Sequence, residues 1–322
     1  MKKSALLFIV SILSGFLYSQ VLTDPFQSYD LSIECERGKI FGTLLIPNTK
    51  APFPVALLIS GSGPTDRDGN QPNMKNNSLR YLAENLARQG IATLRYDKRL
   101  IGQSKTGQRE SDIRFEDYIG DAKKWISKLK QDARFSKVIV IGHSEGSLIG
   151  MIAAKDAKAD MFISVAGVSK PADEVILEQT KGLPSHLHNE TIAILDSLRN
   201  GKTVAHVNPN LAALFRPSVQ PYMISWMKYD PSKEIQQLRI PILIIQGTAD
   251  IQVGVDHARQ LAASAPRAEL KIIENMNHVL KIVEADRNKN IATYMNPNLP
   301  ISDELVKAIT DFIKNNESRY IH

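Results

Sequence analysis

The pentapeptide Gly142-His143-Ser144-Glu145-Gly146 constrains this 322-residue chain more than any other stretch. It follows the apolar, β-branched run 138–141 and precedes a helix-like stretch over 147–155. A Gly-x-Ser-x-Gly pattern between a strand and a helix forces its serine onto a tight bend. The two glycines remove side chains that would collide as strand and helix close together. The Ser144 hydroxyl then stands clear of the sheet edge, at a helix N-terminus whose free N–H groups favour negative charge.

Strand and helix patterns alternate on either side of this turn. Two strand-like runs, 31–36 and 41–46, are joined through Arg37-Gly38-Lys39 and read as a hairpin. Strands follow at 55–60, 92–96, 138–141, 161–166, 240–246 and 270–273. Helical periodicity marks 78–89, 115–131, 255–264 and 303–314. In the second of these Tyr118, Ala122, Trp125, Ile126 and Leu129 share one face. The pattern predicts an α/β fold: a mostly parallel central sheet with helices on both faces. Apolar residues make up 43% of the chain and charged residues 23%, enough for a large core.

The alternation stops over 168–238. This stretch holds six prolines and no strand pattern, so it reads as a helical cap insert packed over the sheet edge. Phe215, Tyr222, Met223 and Trp226 within it are either pocket lining or the insert's own small core.

A serine hydroxyl is a weak nucleophile at neutral pH. It needs a base, and the base needs an orienting partner. On this kind of turn the acid and then the histidine follow the serine along the chain. The strand ending at Gln246 runs into Gly247-Thr248-Ala249-Asp250, and the next runs into Glu274-Asn275-Met276-Asn277-His278. Asp250 and His278 thus fall just beyond C-terminal strand ends, the edge that also carries Ser144. Ser144, Asp250 and His278 are therefore the expected nucleophile, acid and base. Oxyanion donors are expected from the N–H of Glu145, which follows the nucleophile, and from that of Ser62 in the Gly-rich loop after the 55–60 strand. His143 is expected to point away from the reaction and to serve packing.

Several other chemistries find no support in the residues. Asp66-x-Asp68-x-Asn70 opens like a calcium loop, but Gln71 stands where that loop needs Gly and Asn77 where it needs Glu. His186, His188, His206, His257 and His322 show no metal spacing and read as surface residues. No metal or organic cofactor is expected. The formal charge of +6 falls to +4 without Lys2 and Lys3, and no basic run is interleaved with aromatics, so nucleic acid is not an expected partner. The one cysteine, Cys35, lies in an alternating strand and reads as an inert thiol.

Met1-Lys2-Lys3, the short apolar stretch after it and Ser19 have the layout of an export signal spanning 1–19. The apolar part is shorter than the ~20 residues of a membrane helix. A secreted or periplasmic location with a mature domain over 20–322, and no stable membrane span after cleavage, is the expectation.

The mature chain resembles an α/β-hydrolase, in the branch of secreted or periplasmic bacterial esterases related to serine aminopeptidase-like hydrolases. The resemblance rests on residues 60–70, Arg95-Tyr96-Asp97-Lys98-Arg99, the Ser144 pentapeptide, Gln246-Gly247-Thr248-Ala249-Asp250, Asn277-His278, and 214–221 in the insert. Two departures stand out. Ser60-Gly61 replaces the usual His-Gly, as in this branch, and Leu100 replaces the Gly that usually follows Asp-x-Arg. The resemblance implies a serine hydrolase cleaving a small-molecule carboxylic ester through an acyl-enzyme. An aminopeptidase or thioesterase would use the same residues. An aminopeptidase would also need acidic groups for the substrate ammonium, with Glu174, Glu178 and Glu190 available in the insert. A binding protein on an inactive hydrolase fold would ordinarily lack one of the three residues.

Overall fold

The computed structural model describes residues 25–284 and 286–318. The export segment expected at 1–19 lies outside the described residues. An eight-stranded sheet organises the chain, in the order β1-β2-β4-β3-β5-β6-β7-β8. β1 (Phe26–Cys35) and β2 (Gly38–Pro47) form the predicted hairpin, each longer than the sequence pattern suggested. β2 meets β4 (Ala92–Tyr96) antiparallel. From β4 onward every pairing is parallel, through β3 (Phe53–Ile59), β5 (Phe135–His143), β6 (Met161–Val165), β7 (Ile242–Gly247) and β8 (Glu269–Ile273).

Side chains alternate across this sheet and divide the core in two. Val55, Leu57 and Ile59 of β3, with Val138 and Val140 of β5, face α2 (Phe115–Lys130), α3 (Glu145–Asp156) and α9 (Val255–Ser264). Ala56 and Leu58, with Ile139 and Ile141, face α1 (Ser78–Arg88) and α11 (Asp303–Ser318). Each large apolar side chain buried this way contributes about 1.5–3 kcal/mol. A strand covered on both faces must be apolar at nearly every position, as β3 is.

Between β6 and β7 the chain forms α4 (Ala172–Thr180), α5 (Ser185–Arg199), α6 (Ala212–Phe215), α7 (Gln220–Trp226) and α8 (Pro231–Ile235). Phe215 and Met223 pack with Ile176, Leu195 and Leu211 in a cluster of the insert's own. α10 (Arg287–Thr293) follows β8, and the sequence pattern did not reveal it. Its signal was Asp286, whose side chain caps the helix by accepting from the Lys289 N–H. Among the described residues no helix is long and apolar enough to cross a membrane.

Candidate active site

Ser144 sits between the last residue of β5 and the first of α3, with φ 55° and ψ −123°. A left-handed φ on a residue with a Cβ costs of order 1–3 kcal/mol and persists only where neighbours enforce it. Close approach of strand and helix does so here. A Cβ on Gly142 would lie 2.3 Å from the Gly146 carbonyl oxygen, and one on Gly146 would lie 2.3 Å from that of Ile59. A Cβ on Gly61 would come within 3.0 Å of the Ser144 Cβ, so the Gly-rich loop reaches the serine only because it has no side chain there.

Asp250 lies on the turn after β7, and His278 on the turn after β8. The structure therefore brings Ser144, Asp250 and His278 to one edge of the sheet. His278 Nδ1 is 2.8 Å from Asp250 Oδ2. Asp250 Oδ1 accepts from the backbone N–H groups of Gln252 and Val253, and Oδ2 also accepts from Gln246 Nε2. Burial pushes the Asp250 carboxyl up, but His278 and these backbone donors outweigh it and hold the group below the usual carboxylate range. An ionised carboxylate only accepts, so Nδ1 of His278 carries a hydrogen, and it is the neutral form of the ring whose Nε2 presents a lone pair. His278 and Ser144 line a common cleft of about 60 Å³.

Ser62 lines the same cleft, and Glu145 directly follows Ser144 in the chain. Glu145 is the first residue of α3, where N–H groups lack an intrahelical acceptor. The carbonyl of Gly61 accepts from Lys98 Nζ at 2.5 Å. A trans peptide holds its C=O and N–H on opposite sides. Lys98 therefore fixes the direction of the Ser62 N–H, which meets no acceptor among the described residues. Lys98 is 1% exposed, and its ammonium also pairs with Glu145 Oε2 at 3.3 Å and lies 5.2 Å from the Tyr118 ring centre. Tyr222 of α7 donates its hydroxyl to the other Glu145 oxygen. Burial first, then the Glu145 charge, holds the Tyr222 phenol well above its ordinary value, so it stays a donor. In the sequence Lys98 stands only within the Arg95-Tyr96-Asp97-Lys98-Arg99 motif, which assigns it no role. Nothing in its spacing points to Gly61, 37 residues away.

Two expectations require correction, and one open alternative is decided. His143 does not point away from the site: it lines the cleft and hydrogen-bonds the His278 backbone. His257 is not a surface histidine; it is buried, with Nδ1 against Ser169 and Nε2 3.3 Å from Glu178. Phe215, Tyr222, Met223 and Trp226 do not line the cleft. Phe215 and Met223 belong to the insert's core, Tyr222 holds Glu145, and Trp226 stacks on Phe115 at an interplanar angle of 15°.

The cleft walls come instead from the segment after β3 and from the turn and helix after β8. Thr65, Gln71, Met74 and Asn76 supply the first wall, and Val279 and Tyr294 the second. The first is a loop built by its own side chains. Asp66 Oδ1 accepts from the N–H groups of Asp68 and Asn70, and Asn70 Oδ1 from those of Asn76 and Asn77. In the second, Asn277 Nδ2 donates to Asn290 and Thr293, while Asn290 Nδ2 donates to the Ala249 carbonyl. α10 thereby ties the Asp250 turn to the His278 turn. A larger hollow of about 510 Å³ near the start of β7 contains no histidine. Leu100, in place of a glycine, adopts φ 68° outside the cleft.

A family profile described as serine aminopeptidase, S33, matches residues 74–285. Esterase EstD of Thermotoga maritima is 30% identical over 268 residues, which cover 80% of this chain and 61% of EstD; the chain thus spans less than two thirds of that relative. Among solved structures, Est1E from Butyrivibrio proteoclasticus matches with a TM-score of 0.58 at 17% identity, over 90% of this chain and 99% of that one. The Pyrococcus furiosus esterase PF2001 matches with a TM-score of 0.57 at 16% identity, over 90% of this chain and 91% of that one. At these identities the two structures share the fold.

Proposed function

For a chain that belongs to the serine aminopeptidase S33 family of α/β-hydrolases, we propose the hydrolysis of carboxylic esters through an acyl-enzyme on Ser144. The observation that carries this reading is the pairing of His278 with Asp250 at 2.8 Å beside a serine held at positive φ in the same cleft. His278 Nε2 takes the Ser144 proton as Oγ bonds to the acyl carbon. The carbonyl oxygen becomes an oxyanion held by the Ser62 and Glu145 N–H groups. His278 then passes its proton to the departing alcohol, and Asp250 stabilises the transient imidazolium. Water deacylates the serine by the same steps in reverse order. The 1–19 pattern supports export of this enzyme, which N-terminal sequencing of the exported form tests.

An aminopeptidase reading lacks a partner for the substrate ammonium. The residues that line the cleft include no carboxylate. Glu178 is engaged with Lys170 and His257, Glu190 accepts from the Asn208 N–H, and Glu174 points to solvent. Short-chain p-nitrophenyl esters and aminoacyl p-nitroanilides, assayed side by side, test the choice: esters are expected to turn over far faster. Ser144→Ala is expected to lose at least ~10³-fold in turnover with its fold unchanged. Full activity in that variant, or preference for the anilides, overturns the reading.

A further inference from the structure

Beside the cleft, an open groove of about 280 Å³ shares Met74, Gln252 and Tyr294 with it and adds Asn73, Ile251, Ile291 and Met295. The last three are 40%, 46% and 60% exposed. Among the described residues seven large apolar side chains are at least 40% exposed, and three of them converge here. Single exposed apolar residues need no explanation, but a cluster opening onto a reactive cleft does. No ionisable side chain other than the Tyr294 phenol lines the groove. Burial raises that phenol to about 12, so at neutral pH the groove is uncharged.

We infer that this groove is the subsite for an apolar leaving alcohol, so that the preferred substrates are short-acyl esters of apolar alcohols. The inference rests on the ester-hydrolase reading. Two arguments separate alcohol from acyl chain. The first is position. Five of the seven residues lining the groove come from the segments that follow Asp250 and His278. When the tetrahedral adduct collapses, the acyl C–O bond breaks and its electron pair goes to the alcohol oxygen. The proton taken from Ser144 follows from His278 Nε2. The alcohol must therefore lie beside His278, in the cleft that shares Gln252 and Tyr294 with the groove. The second is size. The cleft at the serine is about 60 Å³, against about 280 Å³ for the groove, so a short acyl group fits the former and an extended apolar chain the latter.

The n-alkyl acetates test this, because their alcohols differ in apolar length and hardly in acidity. The full chain, normalised by fluorophosphonate titration of active sites, should give a kcat/KM for hexyl acetate at least tenfold that for ethyl acetate. Met295→Asp and, separately, Ile291→Ser should lower the hexyl-to-ethyl ratio at least fivefold. Ile192→Asp, a change at an exposed apolar residue on α5 away from the groove, should leave the ratio as it is. A flat profile with steady ethyl acetate turnover overturns the subsite and spares the esterase reading. A change in p-nitrophenyl acyl-length preference with an unaltered alcohol ratio makes the groove an acyl site and also overturns the assignment. Failure to hydrolyse any ester or to label with fluorophosphonate overturns both.

Discussion

His143 and His278 stand ring to ring, 4.8 Å between centres, with His143 Nε2 2.8 Å from the His278 backbone oxygen. The carbonyl can only accept, so His143 donates through Nε2–H. Burial first, and then the neighbouring His278, pull the His143 imidazole down to about 3. It therefore stays neutral while it braces the peptide that carries His278.

This has a sign in pH. An unfolded imidazole titrates near 6.5, whereas the folded one resists protonation until about pH 3. Between these values the unfolded state binds the extra proton, so stability falls as pH falls. Well below pH 6.5 the slope approaches about 1.4 kcal/mol per pH unit from this one group. His143→Gln cannot titrate and should lose stability less steeply between pH 6.5 and 4 in denaturant unfolding. Equal slopes for both proteins would contradict a neutral buried His143.

Asp250→Asn keeps an oxygen for the Gln252 and Val253 N–H groups but replaces the charge facing His278. The imidazolium formed during the reaction loses its counter-charge. Turnover should drop by orders of magnitude, up to about 10⁴-fold, with little change in melting temperature. Near-normal rates would move the acid elsewhere, with Glu274, on the segment that leads to His278, the first candidate.

Lys98→Met strands the Glu145 carboxylate inside the protein and should cost about 3–5 kcal/mol. It also frees the Gly61 carbonyl, so the Ser62 N–H is no longer aimed. Turnover should fall at least ~10-fold, short of the ~10²–10³ lost with a whole oxyanion donor. Adding Glu145→Gln removes the stranded charge and should restore much of the stability without restoring kcat. Recovery of both together would reduce Lys98 to a structural role.

Trp226→Ala should lower stability by about 3 kcal/mol, because its ring stacks on Phe115 and packs against the main core. The ratio of butyrate to acetate turnover should not move. A shifted ratio would return α7 to the substrate site.

Much of the framework was legible in the sequence, for reasons that are local. β3 is apolar at successive positions because both its faces are covered, and α2 carries its apolar residues at helical spacing because one face is. Gly142 and Gly146 announced a close strand–helix approach, since any side chain there collides with backbone. The order of Ser144, Asp250 and His278 was readable because parallel strands deliver their C-terminal ends to one edge. Tertiary structure alone decided which residues surround them. His143 and His278 are separated by 135 positions, and Lys98 and Glu145 by 47. Periodicity reports the face on which a side chain lies, not the partner that meets it. The same limit explains the aromatic residues of α7: their pattern suited a pocket wall or a core. Packing against Phe115 and the buried Glu145 carboxylate selected the core, and left the cleft to Met74, Val279 and Tyr294.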